Sequence, residues 1–246
     1  MTVTLWGGDH SDLVRAVSPS SLEFYFPLAE TSGTQATDIS GKGRNGTYNG
    51  PALASVTTPF GKPAPLFDAI NDYVDIYSAA LATALATWSE GTIAALCMVR
   101  AASVWTDATT RNIVQISDSG VNNRASLTKN SSSNQLRNLR SHAGTTVANV
   151  ASTTSPTDWF YIVQTWSVAN NRLNNYIAYR GVAPAQFGTQ QTGLAAWSAV
   201  TLAATRCLIG NSFRTTPANI WDGYIAEVSG WSSELTLAQA TPFMAF

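Results

Sequence analysis

The chain has 246 residues, 45% of them hydrophobic and 12% charged, with 14 Lys and Arg against 15 Asp and Glu for a net charge of −1. That balance describes a folded globular chain and excludes a disordered one. Its basic residues are scattered, apart from Lys129, Arg137 and Arg140 in one Ser/Asn-rich stretch, so a nucleic-acid partner is not expected.

Residues 1–10 have neither a basic start nor an apolar core of signal-peptide length, so no export signal is read. Residues 1–21 are expected to form an extra edge strand or an arm that docks on a neighbour, with residues 22–246 as the domain. From residue 22 onward, short runs rich in Val, Ile, Tyr, Phe and Trp are broken by Gly, Pro, Asn and Ser, the spacing of an all-β sandwich. Strands are predicted over 22–26, 73–77, 92–100, 112–117, 158–168, 174–180, 206–210 and 223–231. The alternation of Phe160, Ile162, Gln164 and Trp166 with Tyr161, Val163, Thr165 and Ser167 is the period of two that a half-buried strand requires. Polar residues 122–138 read as a hairpin loop between strand-like segments.

Helical signal is scarce. Residues 79–87 are Ala/Leu-rich but too short to hold a helix without packing. Thr236 and Gln239 have the spacing of a capping box, which predicts one short helical turn after the last strand. Cys97 and Cys207 each sit in an apolar run and are expected as buried thiols, not as a disulfide. No apolar run approaches the ~18 residues of a membrane helix, so membrane insertion is not expected.

Three motifs recur in a telling order. Phe24-Tyr25-Phe26-Pro27-Leu28 leads to Asp38-Ile39-Ser40-Gly41-Lys42-Gly43-Arg44-Asn45-Gly46. Phe67-Asp68-Ala69-Ile70-Asn71-Asp72-Tyr73-Val74-Asp75-Ile76 follows. Asp222-Gly223-Tyr224-Ile225-Ala226-Glu227-Val228 comes last. Together they resemble the laminin G-like (LamG), concanavalin A-like jelly-roll family. The resemblance implies an all-β, two-sheet antiparallel jelly-roll sandwich over about residues 22–240. Two positions depart from the pattern. Ala69 stands where Gly is usual, so the turn is expected to place its positive φ on Asn71. Ala226 replaces an Asp, which removes a carboxylate from the last strand.

The resemblance also implies a structural Ca²⁺ where the loop after the first strand meets the start of the last. Asp38 and Asp222 match those positions, with Asn45 or Gly46 able to supply a carbonyl oxygen of the kind a hard cation prefers. No catalytic residue is assigned and no enzymatic activity is expected. Retaining glycosidases need two carboxyl groups about 5–5.5 Å apart. Glu23, Glu30, Glu90, Glu227 and Glu234 are dispersed, and a spacing of three sends Asp72 and Asp75 to opposite faces of a strand. His10 and His142 lie in the arm and a polar loop, and no Gly-rich loop opens a helix as a nucleotide site would need. Among eight Trp residues, Trp88, Trp159, Trp166 and Trp231 fall in strand patterns, whereas Trp105 and Trp197 fall in loop-like sequence and are the candidates for an exposed sugar contact.

The function expected from the resemblance is a non-enzymatic virion surface or structural protein: a phage capsid decoration, head-fibre or tail component assembled in the host cytoplasm. Its partners would be capsid or tail proteins or copies of itself. The alternative is a carbohydrate-binding, lectin-like module or adhesin that takes a cell-surface glycan. A glycoside hydrolase ranks below both.

Overall fold

A computed structural model describes residues 9–246 apart from 133, 152–153, 198–199 and 214. Its strands, in chain order, are β1 (Leu22–Phe26), β2 (Gln35–Ala36), β3 (Gly46–Asn49), β4 (Ala52–Thr57), β5 (Pro63–Asp68), β6 (Tyr73–Asp75), β7 (Glu90–Val99), β8 (Arg111–Ser117), β9 (Arg124–Lys129), β10 (Leu136–His142), β11 (Thr145–Ala151), β12 (Phe160–Ser167), β13 (Arg172–Tyr179), β14 (Ala185–Gln186), β15 (Leu208–Ile209) and β16 (Asp222–Trp231). Among the described residues, three α-helices accompany them, α1 (His10–Ala16), α2 (Ala79–Leu85) and α3 (Leu237–Met244), with a short 3-10 helix over Ala102–Thr106.

The strands form two antiparallel sheets. Sheet A runs β14-β13-β12-β7-β16-β5-β4, and β1 pairs with the second half of β16 beyond the reach of β5. Sheet B runs β11-β10-β9-β8-β15-β6-β3-β2. This is the two-sheet jelly-roll sandwich that the sequence predicts. Non-consecutive neighbours in both sheets give it long-range crossovers.

Alternation places the core. Phe24, Ile93, Cys97, Phe160, Ile162 and Ile225 of sheet A meet Val74, Ile113, Ile116, Leu127, Leu136 and Ile209 of sheet B between the sheets. The opposite face of sheet A is buried as well. There Tyr25, Leu96, Tyr161 and Val163 are covered by Val14 of α1 and by Ala240, Phe243 and Met244 of α3. Each large side chain so enclosed contributes roughly 1.5–3 kcal/mol. Because sheet A is covered on both faces, β1 and β12 are buried at every position. Among the described residues, α1 and α3 pack on sheet A, and the outer face of sheet B is mainly polar.

Local chemistry explains the helices. Asp9 caps α1 by accepting from the Ser11 amide, and the His10 Nε2 donates to the Phe243 carbonyl of α3 at 2.8 Å. Trp231 Nε1 donates to the Val17 carbonyl at 2.9 Å, so residues 9–17 lie against their own domain. At α3, the Gln239 amide donates to the Thr236 hydroxyl, and the Thr236 amide donates to Gln239 Oε1, which completes the predicted capping box. Helix α2 is capped by Ser78 and holds its place by burying Leu81 and Leu85. Among the described residues, no helix is long and apolar enough to cross a membrane.

Three expectations need correction. The positive φ of the 69–71 turn falls on Ala69, at +70°, and not on Asn71. The alanine accepts the left-handed conformation because Asp68 Oδ1 takes the Ile70 amide and Asp72 Oδ2 takes the Asp68 amide, so hydrogen bonds on both sides fix the turn. Residues 122–138 are not one loop, since β9 and the start of β10 lie within them and the Asn130 amide donates to the Gln135 carbonyl between the two strands. Finally, Trp105 and Trp197 are not exposed. Each is 1% accessible, because its indole N–H finds a buried carbonyl. Both cysteines are free and buried, as expected from the sequence, and burial holds the Cys97 thiol well above its usual range.

Candidate anion-binding face

The outer face of sheet B follows from strand alternation. In β9, Ala125 and Leu127 point into the core, so Arg124, Ser126 and Thr128 point outward. In β10, Leu136 points inward, which turns Arg137, Leu139 and Ser141 outward. Register sets Arg124 opposite Ser141, Ser126 opposite Leu139 and Thr128 opposite Arg137. Arg124 and Arg137 therefore stand on neighbouring strands with only Ser126 and Leu139 between them. On the other flank, β8 sets Gln115 opposite Ser126 and Ser117 opposite Arg124.

A third arginine enters from the approach to β15. Arg206 donates from Nε to the Ser119 carbonyl at 3.1 Å, and its guanidinium carbon lies 4.3 Å from the centroid of the Phe213 ring. Gln115 Nε2 donates to the Ser212 carbonyl at 2.9 Å, which ties the loop bearing Phe213 to the same face. Asn211 shapes that loop by accepting from the Phe213 and Ala218 amides.

The electrostatics are unusual for a nearly neutral chain. Elsewhere guanidinium groups meet carboxylates: Arg44 with Glu23, Arg100 with Asp222, Arg111 with Asp107 and Arg172 with Glu234. Among the described residues, no ion pair involves Arg124, Arg137 or Arg206. The Nε atoms of Arg124 and Arg137 and the hydroxyl of Ser126 are buried with no protein partner. Burial, and next the like charges of Arg137 and Arg206, hold the Arg124 guanidinium below its usual range. Three guanidinium groups that repel one another, with no ion pair among the described residues, leave positive charge on this face. Their planar forks fit carboxylate, sulfate or phosphate oxygens in pairs.

The residues expected to hold calcium are not brought together. Asp38 Oδ1 accepts from the Tyr25 and Ser40 amides and Oδ2 from the Arg44 amide, each at 2.9 Å. The Asn45 side chain accepts from the Asp38 amide at 2.9 Å, and Gly46 starts β3. Asp38 thus organises its own loop beside Tyr25, which pairs with Ser229. Asp222 lies seven residues back along β16, about 20 Å away at strand spacing. Its Oδ1 is 2.7 Å from Arg100 Nε, with Arg111 Nη2 at 3.9 Å from Oδ2. Among the described residues, no three His, Cys, Asp or Glu side chains converge as a metal site would need.

The basic stretch noticed in the sequence divides three ways. Arg137 turns outward. Arg140 turns into the core, and Lys129 is buried with its Nζ 2.7 Å from Asp107 Oδ1 and 2.9 Å from the Thr109 carbonyl. Arg124 and Arg206 were not singled out by sequence. The alternation of Arg124, Ser126 and Thr128 against Ala125 and Leu127 is the signal that marks the first of them.

These features define a class: a two-sheet antiparallel jelly-roll β-sandwich with a basic face. No family profile matches the sequence. No curated protein matches it either. Among solved structures, the chain is similar to botulinum neurotoxin type C, described by its dependence on two ganglioside molecules for cell entry. The TM-score is 0.64 at 13% identity over 91% of this chain and 50% of that one. It is similar to a Trypanosoma rangeli sialidase mutant displaying trans-sialidase activity, with a TM-score of 0.61 at 15% identity over 93% of this chain and 33% of that one. A third likeness is to the CBM40 of a Ruminococcus gnavus IT-sialidase, with a TM-score of 0.55 at 9% identity over 71% of this chain and 92% of that one. The chain thus spans about half the length of the solved toxin chain and a third of the trypanosomal sialidase chain. At these identities the likeness is one of fold.

Proposed function

We propose that the protein is a lectin-like binding module, without catalysis of its own, that takes an acidic glycan on the outer face of sheet B. One observation carries this reading: Arg124, Arg137 and Arg206 share that face and, among the described residues, none of them pairs with a carboxylate. A carboxylated or sulfated sugar would supply the missing negative charge, while Ser126, Thr128 and Gln115 lie buried beneath the arginines and support the face from below. The likenesses to a ganglioside-dependent toxin and to a sialidase CBM40 support the carbohydrate-binding alternative of the sequence analysis over its virion reading. Cell-surface glycan is accordingly the partner retained, and no observation favours capsid or tail proteins.

The test is an array of neutral, sialylated, uronate-bearing and sulfated glycans, probed with the wild-type chain and with R124A, R137A and R206A. Binding confined to acidic glycans, and weakened at least tenfold by each substitution, is the expected result. Binding to neutral glycans alone, or to acidic glycans with all three variants unaffected, would reject the assignment.

A further inference from the structure

A second group of polar side chains lies between the sheets, independent of the basic face. Arg140 points inward from β10 and is 0% accessible. Its Nη2 donates to the Trp88 carbonyl at 2.6 Å, and its guanidinium carbon lies 5.3 Å from both the Trp166 and Trp197 ring centroids. Its Nε and Nη1 have no partner. Among the described residues no carboxylate pairs with it, and burial alone pushes the guanidinium down to about 10.

The facing sheet presents the same condition. Gln164 and Trp166 follow each other on the inner face of β12, and Asn175 of β13 is the register partner of Gln164. Asn138, two residues before Arg140, donates from Nδ2 to Asn175 Oδ1 at 2.9 Å and joins the sheets at this point. Around that contact, Gln164 Nε2 and Oε1, Trp166 Nε1, Asn175 Nδ2 and Asn138 Oδ1 are all buried without a partner. A buried polar atom left unpaired is costly, and a buried charge left unpaired is far more so. Native interiors resolve such sets with ordered water or an ion. Here the unpartnered atoms are mostly donors and the one charge is positive, a combination that selects an anion over water alone and excludes a cation.

We propose that a monovalent anion of halide size resides between the sheets against Arg140 Nε and Nη1, within reach of Trp166, Gln164 and Asn175. The tryptophans on both sides of Arg140 hold the guanidinium in place through their π-faces. The remaining acceptors, Gln164 Oε1 and Asn138 Oδ1, would take a water beside the ion. An anion that binds only the folded chain stabilises it by mass action.

The chain purified and crystallised in sodium bromide provides the test, through anomalous diffraction. A bromide peak within hydrogen-bond reach of Arg140 is expected, together with an unfolding midpoint several degrees higher in sodium chloride than in sodium gluconate at equal ionic strength. R124A/R137A/R206A should retain the peak, which separates this site from the outer face. R140M should abolish the halide dependence. If R140M does not fold, the wild-type diffraction decides. Density of water alone at Arg140, without a bromide peak, would overturn the proposal.

Discussion

The hydroxyl of Tyr25 on β1 donates to the carboxylate of Glu227 on β16, beneath the cover of α1. Glu227 sits at the irregularity of β16, with φ of +52°, and His10 Nδ1 approaches the same carboxylate oxygen at 3.5 Å. Burial first, and then the Glu227 charge, holds the Tyr25 phenol well above its usual range, so it remains a donor at any working pH. Removal of that donor in Y25F leaves a buried carboxylate short of a partner. A loss of about 1–3 kcal/mol in urea unfolding is expected, with the midpoint shifted and the slope unchanged.

Asp107 bridges Lys129 and Arg111, at 2.7 Å and 2.6 Å. Burial alone would raise its carboxyl, but the hydrogen bonds from Lys129 and Arg111 prevail and hold it below the usual carboxylate range. A depressed carboxyl contributes stability above its unfolded value, near pH 4, and that contribution is lost as pH falls through the folded one. D107N should cost about 3 kcal/mol at pH 7, since it leaves the buried Lys129 ammonium unpaired. The difference between variant and wild type should shrink in acid, as a pH series of denaturant melts would show.

Asp72 behaves in the opposite sense. Burial raises its carboxyl from 3.8 to about 6, even though it accepts the Asp68 amide. A raised carboxyl favours the folded state most below its unfolded value, and that advantage declines as pH rises from about 4 to about 6. D72N keeps an acceptor for the Asp68 amide and carries no charge to bury. It should stabilise the chain above pH 6 by roughly 1–2 kcal/mol, a figure reduced for solvent screening, and should flatten the profile between pH 4 and 6.

How much of this could be read from the residues depended on which faces are apolar. β12 and β16 were legible because Phe160 and Ile162 against Tyr161 and Val163, like Ile225 and Val228 against Ala226 and Trp231, serve two buried layers. β9 was not, because its outer positions are Arg124, Ser126 and Thr128 and its composition imitates a loop. Asp38 and Asp222 matched a calcium pattern in sequence. The first accepts three amides of its own neighbourhood and the second meets Arg100 at the far end of β16, so the two carboxylates do not face each other. Trp105 and Trp197 stood in loop-like sequence, but a loop that folds into the core buries its indoles. Helix α1 spans seven residues with two buried positions, too little periodicity to distinguish it from an arm.

The capping box at α3 was legible, and it secures the cover over Trp231, whose ring stacks 5.4 Å from Phe243. T236A should cost about 1 kcal/mol, a drop of roughly 2–4 °C in thermal midpoint for a chain of this size, with T236S restoring most of it.

The basic face is tested most directly by observing its own N–H groups. The Nε–H signals of Arg124, Arg137 and Arg206 can be followed by ¹⁵N NMR while the chain is titrated with 3′-sialyllactose, a sulfated lactose and unmodified lactose. The three signals should move in saturable fashion with the acidic sugars, less so as salt is raised, and should stay still with lactose. Signals unmoved by every acidic sugar, or moved equally by lactose, would contradict the account.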